Sequence, residues 1–165
     1  MVTDPAKREG LAKLYRRAFD ADRDMPTAAG NIHQDHPVRG PQQKRVMNSA
    51  EYLADHLHEV PVHVVPCIEG RITADNFSRS AGFWASLLPA AWNFMLAARL
   101  RGLGTSLTTL HLMYEREAAE ILGIPFDTVS QGLLIPVAYT KGTEFKPAKR
   151  QPLDEVLHVD GWNRD

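Results

Sequence analysis

The sequence predicts an α/β or α+β sandwich, in which helices cover both faces of a sheet, built as a single domain over residues 1–165. Two observations lead to this prediction. Segments with helical periodicity alternate with short apolar segments of strand length. The strand-like segments have no polar face, which is typical of strands covered on both sides. With 165 residues, 44% of them hydrophobic, the chain is long enough to bury a core.

The N-terminal half is predicted to contain two helices and a strand. Asp4 and Pro5 introduce a helix over residues 6–19, with Asp4 as its N-cap. Residues 20–44 have no periodicity, which predicts a long surface loop or lid. Helical spacing of apolar residues over 46–57 predicts a second helix, and the β-branched segment 61–68 predicts a buried strand with an irregularity at Pro66.

A long apolar helix is predicted over residues 82–101, after a polar loop over 71–80. It is apolar on nearly every side, so it must be covered all round. Its length approaches that of a membrane span, but Asn93 and Arg99 would be costly in lipid. We therefore expect this helix to be covered by protein and expect no membrane partner.

The remaining elements are shorter. The sequence predicts a strand over 105–110, an amphipathic helix over 114–122 capped by Gly123, an apolar strand over 131–139 and a polar arm over 141–165.

Composition and charge exclude several classes of partner. The formal net charge of −1 produces no overall field that would attract nucleic acid. The single cysteine, Cys67, excludes an internal disulfide, and its apolar strand predicts a small buried thiol. No secretory signal is recognisable in the first residues, so we expect a cytoplasmic protein.

The segment LRGLGTSLTTLH, residues 100–111, has the glycines of a phosphate loop but not their context. Phosphate-binding glycines follow a strand and open a helix. Gly102 and Gly104 instead follow a helix, so Gly102 is predicted to be a left-handed helix cap and Gly104 a tight start to the next strand. Thr108 and Thr109 are adjacent and would point to opposite faces of that strand, where both could be ordinary strand residues.

Other candidate sites have less support. His33 and His36 flank Asp35 in a spacing that could bind a metal ion, but no third and fourth ligands are evident, so no metal is predicted. The segment GTSLT lacks the second glycine of a nucleophile elbow. The basic run KPAKR, residues 146–150, is most simply a solvated surface segment.

Several motifs resemble the nitroreductase family of flavin enzymes, including its iodotyrosine deiodinase branch. They are LPAAWNFMLAARLRGLGTSLTTLH, LGIP, GLLIPVAY and KRQPLDEVL, which span residues 88–157, together with VTDPAKREGLAKL near the start. The resemblance implies a nitroreductase-like fold with a mixed, mainly antiparallel sheet. It also implies an obligate homodimer, in which the long central helix packs on its partner and the arm over 141–165 embraces the other subunit.

The resemblance further implies an FMN-dependent oxidoreductase. Such enzymes accept hydride from NAD(P)H and pass electrons to a nitroaromatic, quinone or related small-molecule acceptor in a second half-reaction, with one FMN per interface. The alternative is a non-catalytic or FMN-deficient dimeric relative that acts as a flavin-binding or interaction module.

The family's site residues map onto six positions of this sequence. Leu107, Thr108 and Thr109 resemble the segment that lies against the isoalloxazine, and Thr109, as the catalytic residue, would bond flavin N5. Arg150 resembles the arginine that pairs with the FMN phosphate. Pro89 and Ala90 resemble a helix start near the flavin, and an ordinary proline at the first position of a helix remains the alternative.

The sequence departs from the family at its start. Complete members carry, before the VTDP segment, an arginine-rich phosphate clamp, a Ser/Asn element near the flavin, two helices and most of the first strand. This sequence begins at Met1 and Val2, in the last residues of that strand. We therefore expect an N-terminally incomplete domain in which part of the FMN site is missing.

Overall fold

A computed structural model describes residues 1–73, 75–142, 144, 146–147 and 149–162. Within these residues the helices are α1 (Pro5–Asp22), α2 (Arg39–His56), α3 (Phe77–Leu100) and α4 (Glu115–Leu122). The strands are β1 (Val62–Val64), β2 (Cys67–Glu69), β3 (Leu103–Thr105), β4 (Val129–Gln131) and β5 (Ile135–Tyr139). Short 3₁₀ turns cover Leu57–Glu59, Leu110–Tyr114 and Leu153–Glu155.

Two antiparallel sheets form from these strands. The first has the order β1-β5-β3, with Val137 of the central strand opposite both Val62 and Thr105. The second pairs β2 with β4. The mixture of helices with antiparallel strands agrees with the predicted fold class. The covering of both sheet faces and the role of α3 as a dimer helix stay predictions.

Pro136 lies within the central strand β5, where a missing N–H would normally cost a ladder hydrogen bond. Its partner in register is His63 of β1. The backbone N–H of His63 donates to the carbonyl of Val2 at 3.0 Å, and the N–H of Val2 donates to the carbonyl of His63 at 2.7 Å. Because His63 directs both backbone groups away from β5, Pro136 is tolerated opposite it.

Helix α1 forms as predicted and supplies much of the core. The Asp4 carboxylate accepts a hydrogen bond from the backbone N–H of Lys7 at 2.9 Å, which caps the helix. Its buried face packs through Tyr15 and Phe19 against α2 and against Leu134, the residue before β5. Burial of each such large side chain contributes roughly 1.5–3 kcal/mol.

The predicted loop over residues 20–44 is shorter than expected. Helix α1 continues to Asp22, supported by the ion pair of Arg16 with Asp20 at 3.0 Å, one turn apart. Helix α2 begins at Arg39 because the ring of His36 accepts hydrogen bonds from the N–H groups that open the helix. A histidine is not among the usual capping residues, so no local signal predicts a helix start there.

The predicted strand over 61–68 is divided in two. β1 and β2 belong to different sheets, and the break falls at Pro66, where an irregularity was expected. The prediction that Cys67 is buried is wrong, because β2 belongs to a two-stranded sheet that leaves this residue exposed. Partial burial of the sulfur still raises the pKa of the Cys67 thiol, which donates to the carbonyl of Val65 at 3.4 Å.

The other C-terminal elements depart only slightly from expectation. Helix α3 begins at Phe77, five residues early, because the Asn76 side chain accepts a hydrogen bond from the N–H of Arg79 at 3.0 Å. Helix α4 ends at Gly123 in the left-handed conformation, as predicted. The apolar run over 131–139 is buried as far as Val137, although it divides between β4 and β5.

Candidate functional site

The glycine segment turns the chain from α3 into the sheet. Gly102 follows the helix with φ +76°, the left-handed conformation predicted for a cap, and its N–H donates to the carbonyl of Arg99 at 3.0 Å. The predicted strand over 105–110 is wrong in position. β3 is instead Leu103–Thr105, with Gly104 at its centre opposite Ala138. Glycine is required at this position because a Cβ would collide with the side chain of Thr140.

Thr108 is held firmly beyond the end of β3. Its backbone N–H donates to the carbonyl of Leu134 at 3.0 Å, and the N–H of Leu134 donates back at 2.9 Å. The Thr108 hydroxyl and the Tyr15 hydroxyl are 3.1 Å apart and share a hydrogen bond. Burial raises the pKa of Tyr15, although this hydrogen bond acts in the opposite direction. Thr108 is therefore fixed both by the sheet and by α1.

A groove of about 960 Å³ opens over this segment. Besides the C-terminal segment, three parts of the fold form its walls: the middle and end of α1, one face of α2, and the segment after β3. Its lining residues from these parts are Tyr15, Asp22, Gln42, Arg45, Val46, Ser49, Ala50, Tyr52, Leu53, Ser106, Leu107, Thr108 and Leu110. The volume falls within the range of small-molecule and cofactor sites.

The walls of the groove combine exposed apolar surface with a fixed aromatic ring. Leu107 is 42% exposed and Val46 is 47% exposed, although both are large apolar residues. The ring of Tyr52 stacks on His56 with centroids 4.1 Å apart, which holds it in place. Exposed apolar surface within a concave site is typical of a ligand-binding wall.

Cationic side chains also line this groove. Arg45 comes from α2, and Lys146 and Lys149 come from the C-terminal segment. Asp22 is the carboxylate among the described lining residues. This excess of positive charge suits an anionic group such as a phosphate. The groove therefore offers apolar walls, a hydroxyl pair and cations to one ligand.

Comparison with known proteins identifies a family for this chain. The sequence model described as the Nitroreductase family matches residues 1–139.

This chain belongs to the nitroreductase family.

A solved structure adds a likeness of fold. A BluB-like flavoprotein from Clostridium difficile 630 superposes on this nitroreductase-family chain with a TM-score of 0.57 and 13% sequence identity. The alignment covers 96% of this chain and 76% of that one. A search of curated proteins finds no match.

Thr109 differs from Thr108 in its surroundings in this nitroreductase-family chain. It is exposed, and its carbonyl accepts the hydrogen bond from Leu112 at 2.9 Å that begins the 3₁₀ turn Leu110–Tyr114. Unlike Leu107 and Thr108, it is outside the lining of the described groove. The structure thus brings Leu107 and Thr108 together in the lining of one groove. Thr109 directly follows them in the sequence but is outside that lining.

Pro89 and Ala90 do not lie at a helix start. Both are inside α3, which begins at Phe77, and both side chains are exposed. The prediction of a helix start is therefore wrong, as is its alternative of a first-position proline. The helix start at Pro89 was an implication of the family resemblance, whereas here Asn76 caps a helix that begins at Phe77, twelve residues before Pro89. Neither residue lines the described groove.

Arg150 lies in a second pocket, of about 570 Å³, which adjoins the groove. Gln42 and Lys149 line both spaces, so the two are neighbours. Arg150 is exposed, and its chain neighbour Lys149 is the residue that reaches the groove. The basic run thus points cations into both spaces, whereas its composition alone suggested only a solvated segment.

Sequence reasoning missed several lining residues of the groove. Tyr15 lies within the predicted first helix, where nothing local indicates that it faces a site, and Arg45 falls between the predicted loop over 20–44 and the predicted second helix over 46–57. Lys146 and Lys149 belonged to the basic run that surface exposure explains equally well. Only pairing with the distant segment around Thr108 gives these residues a shared site, and that pairing has no local signal.

Within the described ranges, no group of three or more His, Cys, Asp or Glu residues could hold a metal ion. The rings of His33 and His36 are 6.5 Å apart at their centroids in an edge arrangement. Among the described residues, one helix is long enough and apolar enough to cross a membrane, by length and composition only, and that helix is α3.

Proposed function

We propose that this chain is an FMN-dependent oxidoreductase that reduces nitroaromatic, quinone or related acceptors with NAD(P)H in a ping-pong cycle. The observation that carries the proposal is the groove beside Thr108, in which apolar walls, a hydroxyl pair and cations converge. Membership of the nitroreductase family and the flavoprotein of similar fold support it. We further propose that the protein acts in the cytoplasm.

The residues of the groove fit FMN in its two chemically different parts. The exposed apolar side chains of Leu107 and Val46 offer a surface for the isoalloxazine rings, and the fixed ring of Tyr52 offers a face on which they could stack. Arg45 and Lys149 offer counter-charges to the phosphate, with Arg150 next to Lys149 in the chain. When bound, FMN supplies the hydride and electron transfer that no amino-acid side chain can.

The protein's own contribution is to bind and orient. The sheet pairing of Thr108 with Leu134 fixes the backbone against which the ring system would lie. The Thr109 hydroxyl is the proposed hydrogen-bond partner of flavin N5, where it could donate or accept. Its exposure leaves it free to meet a bound ligand.

The test of this function begins with the colour of the purified protein. We expect bound FMN, or uptake of added FMN, and loss of the yellow colour when NAD(P)H is added without air. Return of the colour on addition of a quinone or nitroaromatic would complete the cycle. A colourless dimer that ignores added FMN would contradict the proposal and support the non-catalytic relative instead.

Variants of the two threonines separate their roles. Thr109→Ala should leave FMN bound but change its reduction potential and half-reaction rates, and Thr109→Ser should restore them because the hydroxyl returns. Thr108→Val should instead loosen FMN binding, since it removes the hydrogen bond to Tyr15. Unaltered potentials and rates in Thr109→Ala would remove Thr109 from the site.

Arg150 can be tested through retention of the cofactor. Arg150→Ala should raise the Kd for FMN by about tenfold at low salt, and less at high salt, because a phosphate contact is screened by ions. Arg150→Lys, which keeps the charge, serves as the control. The same FMN affinity in Arg150→Ala and in the unmodified protein would exclude the phosphate role.

We also propose that the chain forms a homodimer through α3. Large apolar side chains stand exposed along this helix: Phe77, Leu88, Trp92, Phe94, Leu96 and Leu100. An exposed apolar face of this length is typical of an interaction surface. The family's C-terminal arm, residues 141–165, would cover part of the partner; of these, residues 143, 145, 148 and 163–165 lie outside the described part of the chain.

A further inference from the structure

The second pocket, at the start of α2, differs in chemistry from the groove that it adjoins. It holds about 570 Å³ and is lined by His33, His36, Val38, Arg39, Gln42, Gln43, Lys149, Arg150, Gln151, Pro152 and Glu155. Most of these residues carry a cationic group, an imidazole ring or a side-chain amide. Val38 and Pro152 are the apolar residues of this described set. The pocket is therefore suited to a polar, anionic group.

The loop wall of this pocket is closely built. The N–H of His36 donates to the carbonyl of His33 at 3.1 Å, and the N–H of Gly40 donates to the carbonyl of His36 at 2.9 Å. A Cβ at Gly40 would lie 2.6 Å from the carbonyl oxygen of Gln34, so only glycine permits this approach. His33 has φ +56°, a strained conformation for a histidine that tends to occur at ligand sites.

The ring of His36 has a defined tautomer. Its Nδ1 accepts hydrogen bonds from the N–H groups of Val38 at 3.2 Å and Arg39 at 3.1 Å. A ring nitrogen that accepts carries no proton, so the proton of the neutral ring lies on Nε2. His36 therefore presents an N–H donor to its surroundings while it caps α2.

Arg39 is the best-placed cation of the pocket. Its guanidinium bonds Glu155 Oε2 at 3.2 Å, and its side chain is 29% exposed. That bond engages one part of the guanidinium fork, which has five N–H donors in all. Glu155 also accepts from Gln151 at 3.4 Å. The ion pair positions Arg39 at the pocket wall and leaves donors that a second oxyanion could use.

We propose that this pocket binds a carboxylate or phosphate group of the small molecule that exchanges electrons in the adjoining groove. Arg39 and the Nε2–H of His36 are the proposed donors to that anion. Gln42 and Lys149 line both spaces, so one molecule could place its reactive part in the groove and its anionic part in the pocket. The inference rests on the proposed function and names a class of substrate for it.

The pocket is assigned to the substrate rather than to the FMN phosphate because the groove has its own cations. Arg45, Lys146 and Lys149 line the groove directly. Arg39, His36 and Arg150 line only the second pocket. Arg150 directly follows Lys149, which lines both spaces, so the assignment gives Arg150 to an FMN phosphate at the boundary between them and Arg39 to the substrate.

Binding of the anion can be measured without any flavin chemistry. Titration of isotope-labelled protein with 4-nitrobenzoate or inorganic phosphate should produce saturable NMR shifts in the His36 ring and in the Arg39 side chain. The neutral isostere 4-nitrobenzamide should produce much smaller shifts there. Absence of saturable shifts with both anions would overturn the inference, whether or not the protein binds FMN.

The kinetic test uses a ratio of rates in the holoenzyme. The second-order rate constant for reoxidation by 4-nitrobenzoate is divided by that for 4-nitrobenzamide. Arg39→Gln should lower this ratio about tenfold, since a charge-assisted contact is lost from a partly exposed site. Glu155→Gln is the matched control, because it breaks the same ion pair but removes a competing carboxylate. In that variant the ratio should hold or rise.

The same variants also show whether the anion belongs to the electron acceptor, to the electron donor or to FMN. If the phosphate belongs to the electron donor, Arg39→Gln should slow reduction by NADPH more than reduction by NADH, and the acceptor ratio should stay constant. Loss of FMN in Arg39→Gln would overturn the inference by assigning the pocket to the cofactor. An equal fall of the ratio in Arg39→Gln and Glu155→Gln would reduce Arg39 to a structural role.

Discussion

His111 and His63 are imidazole rings at 0% exposure. His63 Nε2 pairs with the carbonyl of Leu57 at 3.0 Å, while neither ring nitrogen of His111 has a partner in the described structure. Burial lowers the pKa of His111 to about 4, against the opposing effect of Glu115. Burial also lowers the pKa of His63. Both rings are therefore neutral in the folded protein at ordinary pH.

The free energy of unfolding should decrease as the pH is lowered below 6.5, the ordinary pKa of histidine. His111 takes up a proton near pH 6.5 when unfolded but only near pH 4 when folded, so its contribution is complete above pH 6.5 and is lost as the pH falls to 4. The loss amounts to about 3 kcal/mol. Chemical denaturation at a series of pH values measures it.

The control for this prediction is His111→Asn, which cannot titrate in this range. It should show a shallower slope of unfolding free energy against pH between 4 and 6.5, whatever its absolute stability. The remaining slope would report His63 and the carboxylates. A slope identical to that of the unmodified protein would show that His111 does not titrate in this way.

Among the elements, α4, β4 and the segment before α3 are joined by one carboxylate. Glu115 accepts from Arg71 at 2.7 Å and from the backbone N–H of Gln131 at 2.9 Å. Burial tends to raise the pKa of Glu115, but these hydrogen bonds prevail and hold it below its usual value. Arg71 also donates to the carbonyl of Val129 at 2.7 Å. Three separate parts of the chain therefore depend on this ion pair.

Removal of this carboxylate should destabilise the fold substantially. Glu115→Ala leaves the half-buried Arg71 without its main counter-charge and the N–H of Gln131 without its acceptor. We expect a loss of about 3 kcal/mol in unfolding free energy. Glu120→Ala, an exposed change on the same helix, should cost less than about 0.5 kcal/mol. Similar losses in the two variants would mean that the Glu115 network does not secure these elements.

The sequence predicted most elements because their signals are local. Asp4 and Pro5 mark the start of α1, and Gly123 marks the end of α4; all three residues have these roles in the structure. The cap of α2 by His36 could not be predicted, since it depends on how a loop folds back onto the helix. The site was predicted only in part, because some of its residues are brought together by tertiary structure and have no local signal. Leu107 and Thr108 came from a resemblance, whereas Arg45 and Tyr15 join them only through tertiary packing.

At the scale of the whole molecule, α3 is the least covered large apolar element. Its 24 residues are predominantly hydrophobic, yet its buried residues are Leu87, Ala91 and Ala98. Trp92 is 55% exposed and Leu96 is 48% exposed. A second copy of the chain is the proposed cover, which would explain why the sequence predicts a helix apolar on nearly every side.

A charge on this face should separate the proposed subunits. Trp92→Glu would bury an unpaired carboxylate in the interface, so we expect monomers where the unmodified chain forms dimers. Sedimentation velocity at micromolar concentration distinguishes the two. Met25→Glu, also at an exposed apolar residue but in the loop after α1, should leave the mass unchanged. An unaltered mass in Trp92→Glu would place the interface elsewhere or contradict it.

The exposed face of α3 also links the folding of the proposed dimer to the amount of protein present. Apolar surface that only a second chain can cover contributes nothing to a lone chain, so its stabilising free energy enters through mass action. The thermal midpoint should then rise as the protein is concentrated, and dilution alone should weaken the fold. In a cell, the level of expression would thereby help to set what fraction of the chains is folded.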